Sequence, residues 1–589
     1  MTHAFDMPAS TLQHSAIDGD AQRHAIECLL NCYLREYALP RGHACLDELA
    51  RDVPMSLRQV PGQLVSLQLG SGRLVIRSDR TSVLGRCHYV SAPYFKGLGH
   101  GWRPLAVAEL ARLLCQPLGQ PERLSEMLEQ VANSLDITTT FLRHGQAGLT
   151  RRADSLLASE QHQVWGHALH PTPKSREGVS TADLLACSPE VGAQFQLHWL
   201  RVDPDLISYQ GQDPSACLRQ LSGRDDLYPC HPWEVQRLLA DPLVRKAMAA
   251  GRLHYLGAQG MAMFPTSSVR TLYHPDLDYF LKFSVHVRLT NCVRKNAWYE
   301  LNSAVALTRL LSPLAESLAV SHPAFVLMPE PAASALDLSS LGTVEQAREV
   351  IECSGILYRQ NLDLESRQRY APQVAMALFT WDREGRSVCA EQVNQCARTL
   401  DCRYAEAAER WLQAYAGILL EGILHCLFAQ GVALEPHLQN TLLGFDAQGL
   451  PCRVWIRDLE GTKLVEQHWP AERLANLDER TRASLYYSPL KAWQRIAYCA
   501  LVNNLGEAMF HLANGDSALE SRLWAGVQTL LQAQALTLGN PPLLRELCEG
   551  GPLPSKENFM TRLLMKADRE AGYTALPNPM LAANKAVQA

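Results

Sequence analysis

No CxxC pair occurs among the 17 cysteines, and the nearest two, Cys28 and Cys32, stand four apart in the apolar stretch CLLNCYL. That spacing suits one face of a helix carrying buried thiols, and it argues against zinc-ligand and disulfide frameworks. A basic segment leading into an apolar run is missing near Met1, so no secretory signal is read and a cytoplasmic location is expected. The longest apolar stretch, 304–320, is interrupted by Arg309 and Glu316 and is not a clean membrane span. Nor is there an excess of basic charge. The 55 Lys and Arg face 60 Asp and Glu for a net charge of -5, which argues against a nucleic-acid binder and leaves any anionic ligand to a few local cations. Internal repeats, low-complexity tracts and a GxGxxG loop are absent as well.

What is present is an ordinary globular composition, 47% hydrophobic and 20% charged, over 589 residues. This is longer than one compact domain, so two or three are expected in an α+β chain. Residues 1–161 mix helices with short strands at 64–69, 73–76 and 86–91, followed by a helical stretch over 105–141. Residues 162–362 hold the densest run of unusual polar residues and alternate like antiparallel sheet. Residues 363–589 read as mainly helical. Within them, 404–430 places Leu412, Tyr415, Leu419, Ile423 and Cys426 on one helical face, with Gly431 as a C-cap.

Three clusters could carry chemistry. The loop GHALHPTPKSREG brings His167, His170, Lys174 and Arg176 together between prolines that forbid a regular helix, and such donors suit carboxylates or phosphates. A solvated basic loop is the alternative. In the second cluster, PTSSVRT reads as a strand with Ser268, Arg270 and Leu272 on one face, turning at His274-Pro275-Asp276 into a returning strand. Lys282 sits there between Leu281 and Phe283, where a lone charge is costly without an anionic partner. A ligand phosphate is the economical partner; charges guarding an edge strand are the alternative. The third cluster is EPHLQN, a hairpin over 441–456, and then RDLEG. Glu435, Asn440 and Asp458 offer the hard oxygens that Mg²⁺ prefers beside phosphate, in an order resembling kinase metal sites.

Taken together, GHALHPTPKSREG, YPCHPWE, PTSSVRT, LKFSVHVRLTNCVR, EPHLQN and RDLEG resemble, in order and spacing, the IucA/IucC-like family of siderophore synthetases that work without nonribosomal peptide synthetases. The resemblance spans roughly 166–461 and extends to Lys556. It implies a cupped hand of thumb (1–161), fingers (162–362) and palm (363–589). It also implies ATP and Mg²⁺ as cofactors and adenylation of a carboxylate, followed by attack of an amine or alcohol with release of AMP and pyrophosphate.

By the same resemblance Ser268, Arg270, Thr271, Lys282, Arg294 and Gln439 would hold ATP, and Glu435, Asn440 and Asp458 would hold Mg²⁺. His170, Thr290, Arg294, His437 and Lys556 would hold the carboxylate, with His170, Arg294 and His437 catalytic. A homodimer is implied on the same ground. The residue after His167 is alanine where many members have proline, which weakens any role for His167. Citrate, a citryl derivative and 2-oxoglutarate stay open as the carboxylate. A kinase-like phosphotransferase is the rival, although Glu435 stands where a kinase keeps its aspartate base.

Overall fold

The computed structural model describes residues 9–47, 52–145, 154–289, 292–293, 295–567 and 570–581. Helix and strand are mixed throughout. Near the N-terminus, strands Gln63–Leu69 and Gly72–Thr81 form the centre of a six-stranded antiparallel sheet. Helices Ala9–Tyr33, Val107–Cys115 and Pro121–His144 pack on it through Leu29, Leu30, Leu110 and Leu114, while Leu67, Leu74 and Ile76 supply the sheet side. The helical stretch expected over 105–141 is therefore two helices: Pro117 and Gly119 interrupt it, and Pro121 opens the second at its first turn. The described cysteines are free thiols, and Cys28 and Cys32 are both buried.

The middle of the chain builds an eight-stranded antiparallel sheet. Its central neighbours are Leu253–Pro265, Thr271–Tyr273, Tyr279–Phe283 and Ile356–Gln360. Leu281 and Phe283 enter its core, so alternation turns Lys282 to the opposite face.

The largest core surrounds helix Tyr404–Leu424. Leu412, Tyr415, Leu419 and Ile423 are buried on its inner face as the periodicity required, and each fully buried large apolar side chain is worth about 1.5–3 kcal/mol. Gly422 admits the ring of Phe325, whose Cγ would lie 2.2 Å from any Cβ there. Strand Phe325–Leu327 thereby pairs in parallel with Pro451–Ile456, joining the middle of the chain to the hairpin Thr441–Phe445/Pro451–Ile456. Gly431, at φ +64°, turns the chain out of the helix toward the EPHLQN loop. Two helices, Trp298–Ser321 and Tyr404–Ala429, are long and apolar enough to cross a membrane by length and composition. The second is the spine of this core.

Near the C-terminus, Phe559 and Leu563 insert into the N-terminal core. This docking carries the adjacent strand Leu553–Lys556, paired with Tyr573–Leu576, to the rim of the central cavity.

Candidate active site

A cavity of about 400 Å³ is lined by all three clusters, by Lys556, and by Tyr487, Lys491 and Arg495. Its geometry is set by pairs of opposite charge, most of them far apart in sequence.

The PTSSV segment is a turn, and this corrects the strand expected from alternation. Val269 has φ +65°, a conformation costing a β-branched residue about 1–2 kcal/mol. The turn is closed by hydrogen bonds from the Val269 amide to the Thr266 carbonyl (2.8 Å) and from the Thr266 amide to the Thr271 carbonyl (2.9 Å). Ser268 Oγ accepts the Thr271 amide at 3.1 Å. Ser268 and Arg270 therefore reach the cavity from a tight loop and Thr271 from the first position of the strand that follows, while Leu272 points into the sheet core.

Lys282 has its anionic partners within the protein. Its Nζ lies 2.7 Å from Asp458 Oδ1 and 2.5 Å from Glu460 Oε2, with the side chain 4% exposed. Burial pulls the lysine pKa down, but Asp458 and Glu460 outweigh it and the net shift is upward. Asp458 stands at φ +79°. Burial pushes its carboxyl up, yet Lys282 and Arg359 hold it far below the carboxylate range, and Glu460 is lowered by Lys282 and Arg270 in the same way.

Two buried glutamates brace this region. Glu330 accepts Arg359 at 2.7 and 3.0 Å through one oxygen and the Leu459 amide at 3.1 Å through the other, and Arg359 reaches Asp458 at 3.4 Å. Glu160 accepts the Ser267 amide at 3.0 Å and pairs with Arg457, which donates to the Gln439 carbonyl at 3.0 Å. Gln439 Nε2 in turn donates to Ser267 Oγ at 3.2 Å, closing a ring between the turn and the EPHLQN loop.

In that loop Glu435 pairs with Arg495 at 2.8 Å. Gly461 packs so closely that a Cβ would lie 2.1 Å from Glu435 Oε2. Asn440 donates to the Glu435 carbonyl at 3.2 Å, which folds the two proposed metal ligands onto each other. His437 Nδ1 accepts the Gln439 amide (3.2 Å), and burial lowers its pKa. His170 Nδ1 accepts the Thr172 amide, also at 3.2 Å. Each neutral ring therefore carries its proton on Nε2 and is a hydrogen-bond donor.

Other sequence signals have structural roles. Lys174 and Arg176 both pair with buried Glu190, at 2.7 and 2.5 Å, so the first loop is a buried, ion-paired brace and not a solvated basic loop. His167 contacts Asn503, which accepts the Leu438 amide at 3.0 Å and so supports the EPHLQN loop. In YPCHPWE, His231 caps helix Pro232–Ala240, and Glu234 accepts the His286 amide at 2.7 Å. Thr290 and Arg294 lie outside the described residues.

Sequence reasoning missed Glu160, Glu330, Arg359, Arg457 and Arg495. Arg457 lies within RDLEG and the others in unremarkable local contexts, and each meets its partner only in the fold.

Among the described residues, no cluster of three or more His, Cys, Asp or Glu side chains gathers as a metal site. Asp458, Glu435 and the Asn440 amide still fit Mg²⁺, which typically takes one or two carboxylates and completes its shell with phosphate oxygens and water. Ser268, Arg270, Thr271 and Lys282 fit those phosphates.

Residues 155–380 match the family described as IucA / IucC family, and residues 409–571 match that of the ferric iron reductase FhuF-like transporter. Similar proteins include the L-2,3-diaminopropanoate–citrate ligase of Staphylococcus aureus, 27% identical over 78% of this chain and 80% of that protein. The spermidine-citrate ligase of Bacillus anthracis is 26% identical over 95% and 98%. The fold matches ATP-bound aerobactin synthetase IucA of Klebsiella pneumoniae with a TM-score of 0.82, at 24% identity over 95% of this chain and 99% of that one. It also matches the petrobactin biosynthesis protein AsbB of Bacillus anthracis, with a TM-score of 0.76, at 16% identity over 99% of each. The chain is an enzyme of the ligase class that these relatives define. Its similarity to the IucA / IucC family is carried by residues 155–380 and by these citrate ligases.

Proposed function

We propose that this enzyme uses ATP and Mg²⁺ to adenylate a carboxylate of citrate or a citryl derivative. It then joins the carbonyl to an amine or alcohol and releases AMP and pyrophosphate. The observation that carries this reading is the convergence, in one cavity, of Arg270 and Lys282 with Asp458, Glu435 and Asn440, with His437 and Lys556 on the adjoining walls. Polyanions must meet there, and paired local charges are what such a meeting needs. The citrate ligases among the relatives support the choice of carboxylate.

Bound ATP supplies the adenylyl group, and Mg²⁺ screens its phosphates. Ser268, Arg270, Thr271, Lys282 and Gln439 hold the phosphate side. His170 and His437 present Nε2–H donors and Lys556 an ammonium, so these residues grip and orient a carboxylate. Once activated, the carbonyl has a good leaving group and the nucleophile mainly needs positioning. The reading includes the thumb, fingers and palm division and a cytoplasmic homodimer.

Incubation with ATP, Mg²⁺, citrate and a panel of amines that includes 2,3-diaminopropanoate and spermidine tests it. AMP and pyrophosphate should appear in equal amounts. ADP and orthophosphate would instead remove the adenylation reading, and ADP with a phosphorylated acceptor would establish the phosphotransferase.

A further inference from the structure

We propose that Lys282 stands in for the divalent cation, so that metal enters this site together with nucleotide and not ahead of it. The inference rests on the ATP reading above and concerns the order in which that site fills. The ammonium of Lys282 lies 2.7 Å from Asp458 Oδ1 and 2.5 Å from Glu460 Oε2. A Mg²⁺ ion bound to the same carboxylates would sit about 2.0–2.1 Å from their oxygens, in the space the ammonium fills. Most of the surrounding negative charge is already paired, and the further acid nearby, Glu300, is pushed up to about 7 by burial and by Glu460. Arg270 approaches Glu460 at 3.7 Å, and Arg359 approaches Asp458 at 3.4 Å while Glu330 neutralises it at 2.7 Å. Three cations thus face three carboxylates. The other carboxylate assigned to metal, Glu435, is held by Arg495 at 2.8 Å.

Metal alone would have to displace a buried ammonium that then has no anion to go to, a costly state. A polyphosphate chain changes this, because it gives Lys282 and Arg270 new anionic partners and releases Asp458 and Glu460 to the metal. Phosphate and metal therefore exchange partners with a preformed lysine–carboxylate pair, and each favours the other's binding by the same factor.

The test uses Mn²⁺ as the metal and the α,β-methylene analogue of ATP as the nucleotide, with the full chain, following free Mn²⁺ by electron paramagnetic resonance. Wild type should bind Mn²⁺ about tenfold or more tightly with the analogue than without it. Lys282→Met, and Lys282→Gln as a second variant in case the first does not fold, should bind Mn²⁺ without nucleotide about tenfold or more tightly than wild type. Adding Asp458→Asn should abolish that gain. Tight Mn²⁺ binding by wild type without nucleotide, or no gain in either Lys282 variant, would overturn the proposal while leaving the ATP reading intact. Failure of the analogue to bind wild type with or without Mn²⁺ would overturn both.

Discussion

Replacing Asp458 with asparagine separates the charge of this residue from its shape. The backbone there lies at φ +79°, a region asparagine enters as easily as aspartate, so the turn into RDLEG is kept. What disappears is the negative charge between Lys282 and Arg359. Neither cation is orphaned, because Lys282 retains Glu460 at 2.5 Å and Arg359 retains Glu330 at 2.7 Å. The stability loss should therefore be about 1–3 kcal/mol, that of a hydrogen bond to a charged group, and not the roughly 3–5 kcal/mol of a broken buried pair. Activity should suffer more sharply. With a charged metal ligand gone, turnover should fall at least about a hundredfold, equivalent to about 2.7 kcal/mol of barrier, and the Mg²⁺ dependence should shift to higher concentration. AMP release across a Mg²⁺ titration and thermal denaturation on the same preparation measure both quantities. Near-normal turnover at low Mg²⁺ would refute the metal assignment.

Two further outcomes follow from buried carboxylates. Glu160→Gln keeps an acceptor for the Ser267 amide but leaves buried Arg457 without its counter-charge, so stability should drop by about 3–5 kcal/mol. The KM for ATP should rise more than that for the carboxylate, and unchanged urea midpoints and KM values would show that this ring braces nothing. Glu36, buried against the amides of Phe559 and Met560, has its pKa raised by burial to about 8. A raised folded pKa contributes stability that is complete below the unfolded value of about 4.3 and is lost as pH climbs through about 8. Buried His24 and His167, lowered to about 4 and about 3, act in the opposite direction, but only up to their unfolded value of about 6.5. Between about pH 7 and 8.5 the Tm of wild type should therefore fall, and that of Glu36→Gln should stay flatter; parallel curves would contradict the assignment.

Much of this architecture was legible in the sequence where order is local. The 404–430 periodicity gave the right buried face, and the hairpin expected over 441–456 forms from Thr441–Phe445 and Pro451–Ile456. The placement of Lys282 between Leu281 and Phe283 correctly demanded an anion. Alternation failed at PTSSV because a valine at positive φ leaves no mark in composition: β-branched residues signal strand, and here the surrounding hydrogen bonds override that preference. The expected anion for Lys282 was a ligand phosphate, whereas Asp458 and Glu460, 176 and 178 residues away, satisfy it within the chain. Pairs separated by such distances follow from sheet register and helix packing, which no window of sequence contains.

The same separation bears on the proposed binding of polyanions by a chain of net charge -5. Most of the cations facing the cavity, those the motifs pointed to and those they did not, are already engaged: Lys174 and Arg176 by Glu190, Arg359 by Glu330, Arg457 by Glu160, Arg495 by Glu435. Those engaged with glutamates behind the cavity wall fix loop positions. Lys282 and Arg495 differ, because their partners Asp458, Glu460 and Glu435 themselves line the cavity. A cation tied to the scaffold sets shape, whereas a cation tied to another cavity-lining side chain can exchange partners with substrate. That distinction, and not the number of basic residues, marks Lys282 with its two carboxylates, and Arg495 with Glu435, as the pairs through which the proposed binding would rearrange the site.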